Sequence, residues 1–336
     1  MPPSPDTREP ASNDVAYAAV EEAAKQLYIR ALKVLPPDLK AALARARATE
    51  TDETGRRFLD IMLENVEVAE RDENLVCQDT GTVVFWLEVG EECALNLARV
   101  TAAVKRGTER ATVEHPLRPN AVHPLTRKNT MTNTGRHLPA MHYEFVSGGS
   151  AREGGSAPEN DGPRDAGAID GPRLPGAAVP PNGLKLHCLP KGSGSENMSF
   201  LKMLIPADGV AGVKRFILEC IVEAGPKPCP PTIVGVGLGG TADLCAALAK
   251  RAVLRPLGTH NDDDAVAALE DELFAAANEL GIGPMGLGGR STVLGVNIEH
   301  AHTHITQNPV AVNLQCWAAR RASAVVTPAG DVTYGF

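Results

Sequence analysis

The second half of this sequence alternates apolar runs with stretches of helical period, and this alternation constrains the fold more than any other feature. Apolar runs of strand length cover residues 184–189, 232–236 and 309–314. Stretches with apolar residues at helical spacing cover residues 209–224, 241–254 and 262–280. Strands that alternate with helices are typical of domains in which helices cover the faces of a sheet. The sequence therefore predicts an α/β (mixed α+β) core.

A helical section precedes this core. Helical periods cover residues 14–35, 54–70 and 92–114, and a β-like run begins at Thr82 after a polar loop. The pair Pro36–Pro37 is expected to end the first helix, because proline cannot continue the helical hydrogen bonds. Residues 115–140 form a loop dense in Pro, Asn, Thr, Arg and His, and loops of this length are often functional.

One segment differs from the rest in composition. Residues 147–183 consist of Gly, Ser, Ala, Pro and charged residues with almost no aliphatic side chains. Such a segment buries too little apolar surface to offset the entropy lost on ordering. We therefore expect a disordered, low-complexity insertion inside one catalytic domain that spans residues 14–325. Residues 1–13 are predicted to be a disordered N-terminus and residues 326–336 a C-terminal tail.

Charge and hydropathy exclude several classes of partner. The net charge is −8, and no run of Lys and Arg is long enough to form a phosphate-binding stripe. The longest apolar stretches fall short of the roughly 18–20 residues that a membrane span needs. The N-terminus has neither an apolar signal core nor an Arg-rich transit pattern. The sequence predicts a soluble, cytoplasmic protein that binds neither nucleic acid nor membranes.

The seven cysteines divide by context. An odd number of cysteines without a secretion signal favours reduced thiols, and no two are spaced as C-x-x-C. Three of them border loops: Cys77 in Cys-Gln-Asp-Thr-Gly, Cys229 before two prolines, and Cys316 at the end of an apolar strand. The other four, which are Cys93, Cys188, Cys220 and Cys245, occupy positions where a thiol usually packs as a small apolar group.

A glycine-rich run allows a second interpretation. Gly235-Val-Gly-Leu-Gly-Gly240 fits G-x-G-x-x-G between a strand and a helix, with acidic residues 262–264 about 20 positions later. Taken alone, this pattern suggests a dinucleotide site. The preceding strand is short, however, and the acids do not end a second strand. Close packing of the strand against the helix is the favoured explanation of these glycines.

The loop cysteines belong to an ordered set of short motifs. In chain order these are Cys77-Gln-Asp-Thr-Gly81, Arg118-Pro-Asn120, Asn133-Thr-Gly135, Lys191-Gly-Ser-Gly-Ser-Glu-Asn197, Cys229-Pro-Pro231, Gly281-Ile-Gly-Pro-Met-Gly-Leu-Gly-Gly289 and Cys316-Trp-Ala-Ala-Arg-Arg321. The set resembles the α-type domain of the class I fumarase and L-tartrate dehydratase family of iron–sulfur hydro-lyases. The resemblance covers about residues 15–325 outside the insertion.

The resemblance implies a cofactor and its ligands. A 4Fe–4S cluster would be held by Cys77, Cys229 and Cys316, which leaves one iron without a protein ligand. The open iron can act as a Lewis acid on the substrate's carboxylate and hydroxyl, so that water is added or removed without electron transfer.

The resemblance also implies roles for polar residues. Asp79 and His304 match catalytic positions of the family. Substrate-binding positions of the family match Gln78, Arg118, Lys191, Gly192 and Gly194. An arginine suits a dicarboxylate because its planar fork binds carboxylates in a bidentate manner. Ser193 stands where the family usually has glycine, a mild departure within the turn.

A partner and a reaction follow from the same resemblance. In the family a β-type domain supplies the catalytic base, and the sequence after Cys316 has no room for one. A separate β chain in an α2β2 assembly is therefore expected. The motifs favour fumarate hydratase, which interconverts fumarate and L-malate. The alternative is the α subunit of L(+)-tartrate dehydratase, which yields oxaloacetate and water, and a remote alternative is a non-catalytic iron–sulfur sensor or scaffold protein.

Overall fold

The computed structural model of the chain describes residues 12–147, 174 and 176–336. Its helices are α1 (Ser12–Lys33), α2 (Pro37–Thr49), α3 (Glu53–Arg71), α4 (Leu97–Glu114), α5 (Ser193–Glu196), α6 (Gly209–Ala224), α7 (Ala242–Ala252) and α8 (Asp264–Asn278). Its strands are β1 (Thr82–Gly90), β2 (Ala140–Val146), β3 (Leu184–Lys191), β4 (Ser199–Leu204), β5 (Thr232–Gly239), β6 (Val293–Ala301), β7 (Asn308–Gln315), β8 (Ala322–Val326) and β9 (Val332–Gly335). The mixed α/β class predicted from the sequence is confirmed.

The strands form two mixed sheets. Sheet one has the order β2-β1-β3-β8-β9, in which only β1 and β2 are parallel. One face of it is covered by α1 and α4, which pack against each other and bury Leu27, Phe85 and Leu186 in a shared core. This apolar layer fixes β1, the strand that follows the Cys77 loop.

Sheet two has the order β4-β7-β5-β6, with β5 and β6 parallel. Helices α6 and α8 bury Ile217 and Leu273 against one face, together with Val234 and Val312. Helix α7 packs on β5 and β7, where Gly235 and Gly237 lie. The residues just after α7 pack on sheet one, so α7 joins the two sheets. Helices α2 and α3 pack together beside β6.

The glycines of the G-x-G-x-x-G run serve close packing. A Cβ on Gly237 would stand 2.0 Å from the carbonyl oxygen of Cys245, and one on Gly235 would stand 2.3 Å from that of Ala249. Both carbonyls belong to α7. The helix backbone therefore occupies the space in front of the strand, and the interpretation of these glycines as strand-to-helix packing is confirmed.

Replacing Gly237 by alanine is expected to destabilise the protein by about 2–3 kcal/mol, because the helix backbone must move to admit one methyl group. Urea titration of the free energy of unfolding measures the change. Gly135→Ala is the control, since a Cβ there meets only a methyl group at 3.7 Å. Equal stability of the two variants would contradict this account of the packing.

The sequence located the central elements better than the peripheral ones. Helix α2 was not predicted, because Pro36–Pro37 was interpreted only as the end of a helix. Helix α4 begins at Leu97 and not at residue 92. The side chain of Asn96 caps this start, because it accepts the free N–H groups of Ala98 and Arg99. The segment expected to be a C-terminal tail contains β9, paired with β8. Residues 1–11 and most of the 147–183 segment lie outside the described residues.

No described helix combines the length and the apolar character that a membrane crossing requires.

Candidate active site

The three loop cysteines lie at the ends of strands. Cys77 precedes β1, Cys229 precedes β5 and Cys316 follows β7. Strands β5 and β7 are antiparallel, with Ile233 opposite Gln315, so Cys229 and Cys316 share one end of sheet two. The N–H of Trp317 donates to the carbonyl of Cys229 at 3.1 Å and ties these two segments together.

The three thiols share one electrostatic environment. Burial raises the pKa of Cys229, and negative charge on Cys316 and Cys77 raises it further. Burial also raises the pKa of Cys316, against which Arg320 and Lys191 act by favouring the thiolate. Charges influence each other in this way only at short range. The structure therefore brings together three cysteines that are far apart in the sequence.

The backbone at Cys229 is held in an uncommon conformation. Its φ is 56°, a left-handed value that residues with a side chain rarely adopt. The Cys229 N–H donates to the carbonyl of Pro226 at 3.0 Å, and the N–H of Met285 donates to the carbonyl of Pro230 at 2.8 Å. Strained backbone of this kind collects at functional sites, where the surrounding contacts fix it.

Asp79 links the Cys77 loop to the glycine turn. One of its oxygens, Oδ2, accepts the N–H of Ser193 at 2.9 Å and the Ser193 hydroxyl at 3.2 Å. The Arg320 guanidinium donates to the Asp79 backbone carbonyl. A Cβ on Gly192 would lie 3.4 Å from Asp79 Oδ2, and one on Gly194 would lie 2.9 Å from the carbonyl of Lys227. The glycine turn is thus packed between the Cys77 and Cys229 loops.

Lys191 lies behind this turn and not on its surface. Its side chain is 1% exposed, and its Nζ donates to the hydroxyl of Ser195 at 2.9 Å and to the carbonyl of Leu314. Burial lowers the pKa of Lys191 to about 8, although nearby Glu196 and Cys316 act to raise it. The ammonium therefore supplies positive charge next to Cys316 from within the protein.

Gln78 and Arg118 are exposed at the edge of this group. The backbone carbonyl of Arg118 accepts the hydroxyl of Thr80 at 2.7 Å and the side-chain amide of Asn133 at 3.0 Å. These bonds fasten the long polar loop to the residue that follows Asp79. The guanidinium of Arg118 consequently projects from a segment that is fixed beside the Cys77 loop.

His304 is not brought to the cysteines within this chain. It follows β6, whose last residue Ala301 pairs with Gly239 at the far end of β5. Cys229 precedes the other end of β5, and this strand has eight residues. At about 3.3 Å per residue, the two ends are separated by more than roughly 20 Å. Among the described residues, the exposed imidazole bonds only to Thr306, at 2.8 Å between Nδ1 and Oγ1.

The donor set fits an iron–sulfur cluster better than a single metal ion. Within the described ranges, no three His, Cys, Asp or Glu side chains converge tightly enough to hold one ion. A single zinc ion brings its sulfur ligands within about 4 Å of each other. The thiolates of a four-iron cluster bind different irons and stand farther apart.

Buried donors around the thiols support the same fit. The Nε of Arg320 and the Nε2 of Gln315 are buried without a hydrogen-bond partner. Such atoms are uncommon in folded proteins, and an acceptor that a bound group brings would satisfy them. The sulfides and thiolates of a cluster are acceptors, and hydrogen bonds to them are usual. The residues present therefore fit such a group.

The sequence did not single out two buried residues that hold loops in place, Arg320 at the site and Glu50 between two helices. Arg320 was noticed only as part of a basic pair after Cys316. Glu50 lies between α2 and α3 and is 1% exposed. Its carboxylate accepts the N–H groups of Arg290 at 2.8 Å and Ser291 at 2.8 Å, which end the second glycine-rich loop. The sequence offers a signal for Arg320 alone, because it lies four residues after the candidate ligand Cys316. No comparable signal marks Glu50.

A cavity of about 590 Å³ lies elsewhere, between α2, α8 and β6. It is lined by none of the three cysteines. It is therefore distinct from the site formed by the cysteine loops.

Comparison with known proteins agrees with this arrangement. The sequence model of the family described as fumarate hydratase (fumerase) matches residues 21–153 and 167–325. A protein of Methanocaldococcus jannaschii, provisionally named L(+)-tartrate dehydratase subunit alpha, is 41% identical over 90% of this chain and 96% of its own length. The L(+)-tartrate dehydratase subunit alpha of Escherichia coli K12 is 33% identical over 89% of this chain and 88% of its own length. The chain therefore belongs to the fumarase family of hydro-lyases.

Proposed function

We propose that this chain is the α subunit of an iron–sulfur hydro-lyase that acts on a four-carbon dicarboxylate. One observation carries the proposal: Cys77, Cys229 and Cys316 meet beside Asp79 and two buried cations in a chain of this family. These three thiolates would hold a 4Fe–4S cluster. When bound, the cluster supplies a Lewis-acidic iron with an open position.

The chain's own residues would bind and orient the substrate. Arg118, exposed on a fastened loop, suits one carboxylate of the substrate. Asp79 holds the glycine turn through Ser193. From that fixed position its carboxylate can accept a hydrogen bond or a proton from a substrate hydroxyl. Gln78 is exposed one residue away and can donate to a second carboxylate. Lys191 contributes charge from below the turn.

L(+)-tartrate is the substrate that the comparisons favour. The curated relatives that match nearly the whole chain carry the name L(+)-tartrate dehydratase subunit alpha. The motifs Arg118-Pro-Asn120 and Lys191–Asn197 favoured fumarate, and the family as a whole is described as fumarate hydratase. Fumarate is therefore the second candidate. Both reactions remove or add water next to a carboxylate, so the same residues serve either substrate.

A separate β-type subunit completes the proposed enzyme, in an α2β2 assembly that works in the cytoplasm. The relatives are named as α subunits, which implies a second kind of chain. Asp79, which is assigned to the substrate hydroxyl, already accepts three hydrogen bonds, so removal of the carbon-bound proton is assigned to the β-type chain. His304 is left out of this set because β5 separates it from the cysteines.

The test is to purify the chain anaerobically, with and without the β-type chain, and to assay L(+)-tartrate and fumarate. The complex is expected to turn over tartrate with a kcat/KM at least about tenfold above that for fumarate, a difference of roughly 1.4 kcal/mol in transition-state binding. The α chain alone is expected to be inactive. Rapid turnover by the α chain alone would refute an active site that needs both chains. A complex that binds a cluster but turns over neither substrate would favour a non-catalytic iron–sulfur sensor.

A further inference from the structure

Arg320 occupies a central position among the loops of the candidate site. It is 1% exposed and lies four residues after Cys316. One nitrogen of its guanidinium, Nη1, donates to the backbone carbonyl of Asp79. A Cβ on Gly192 would stand 3.3 Å from the other terminal nitrogen, Nη2. One buried side chain therefore contacts the Cys77 loop and the glycine turn from the Cys316 segment.

The charge of Arg320 has no carboxylate partner in the described part of the chain. Its recorded bond is to a neutral carbonyl, and its Nε has no hydrogen-bond partner. The adjacent Arg321 also has two unpartnered nitrogens, but it does have a carboxylate partner, because its Nη2 pairs with Asp38 Oδ1 at 2.6 Å. A cation buried without an anion is costly, and negative charge brought by a bound group would offset that cost. Three thiolates around a cluster would provide that negative charge.

We propose that Arg320 is a positioning residue that fixes the Asp79 loop and the Gly192 turn against Cys316 and compensates the negative charge of the bound cluster. The inference rests on the proposed function, because it assumes a cluster on Cys77, Cys229 and Cys316. Both parts of the role, the two contacts and the charge, can be separated by substitution.

Arg320→Met removes the contacts and the charge, whereas Arg320→Lys keeps the charge but loses the planar fork. In the reconstituted protein, Arg320→Met is expected to shift the reduction potential of the cluster to more negative values, since reduction adds negative charge. Arg320→Lys should leave the potential near that of the wild type. The potential is measured by EPR-monitored redox titration under argon.

A second measurement does not need the cluster. In the full-length protein without iron, the Asp79 loop should open more often when Arg320 no longer holds it, so alkylation of Cys77 should become about tenfold faster in both variants. Mass spectrometry of the alkylated peptides gives the rate for each cysteine. Arg321→Met is the matched control: it breaks the pair with Asp38 and is expected to lower stability without changing the potential or the Cys77 rate.

The outcomes separate this inference from the proposed function. If the wild type takes up no cluster, the proposed function and the compensating charge both fail, while the alkylation rates still decide whether Arg320 holds the loop. If the wild type binds a cluster and the Arg320 variants match Arg321→Met in potential and alkylation, the inference is overturned. Should Arg320→Met fail to fold, Arg320→Lys alone must show faster Cys77 alkylation with an unchanged potential.

Discussion

Replacing Cys77, Cys229 or Cys316 by serine is expected to lower the iron and labile sulfide content of the anaerobically prepared protein by at least about tenfold. A cluster with only three protein thiolates has no spare ligand, and a serine hydroxyl is a poor ligand for iron in such clusters. Hydro-lyase activity of the complex should fall with the iron content, because the open iron supplies the Lewis acid. Iron and sulfide are measured by colorimetric assay, and activity is measured after addition of the β-type chain.

Cys245→Ser is the control for these substitutions. Cys245 is fully buried in α7, and its thiol donates to the carbonyl of Gly237 at 3.2 Å, a bond that a serine hydroxyl can also make. This variant is expected to keep its cluster. Loss of the cluster in Cys245→Ser, together with its retention in any one of the other three variants, would show that the ligand set is wrong.

Replacing Glu50 by glutamine is expected to lower the free energy of unfolding at pH 7 by about 3 kcal/mol. Burial by itself would raise the pKa of Glu50, but the N–H groups of Arg290, Asp52 and Ser291 outweigh it and lower the pKa to about 2 from the ordinary 4.5. The carboxylate thus links the segment between α2 and α3 to the loop that ends at Ser291, because it accepts N–H groups from both. A glutamine keeps the shape but presents one oxygen in place of two charged ones.

The pH dependence of stability distinguishes this role from simple packing. A carboxylate with a lowered pKa in the folded state contributes stability that is present above about pH 4.5 and lost as the pH falls towards 2. Glu50→Gln should therefore lie well below the wild type at pH 7 and approach it at pH 2–3. The exposed Glu53→Gln, at the start of α3, is the control. A constant difference between Glu50→Gln and the wild type at every pH would contradict the electrostatic explanation.

Local periodicity predicted the elements that are buried on one side or both. Helix α6 and strand β7 were found because their apolar residues repeat at regular intervals against a single core. Strand β4 was not found: it lies at an edge and most of its residues are exposed, so it has no regular apolar pattern. Helix α2 was missed because a proline at its first turn can begin a helix as well as end the previous one.

Only the residues of the candidate site that lie in recognisable sequence motifs could be predicted. The cysteines were singled out by their loop positions and the ordered motifs around them, and in the structure they lie close enough to influence one another's charge. The contacts of Arg320 with Asp79 and of Glu50 with Ser291 each join residues 241 positions apart, which no local pattern can reveal. The position of Lys191 shows the same limit, because its motif marks a turn while its side chain points away from the surface.

A 4Fe–4S cluster on the three cysteines is tested by quantifying iron and acid-labile sulfide in the folded wild-type protein. Prepared without oxygen and reconstituted, the protein should contain about four irons and four sulfides per chain and give the EPR signal of a reduced 4Fe–4S centre after dithionite. A correctly folded protein that contains neither iron nor sulfide after the same treatment would show that this chain binds no iron–sulfur cluster.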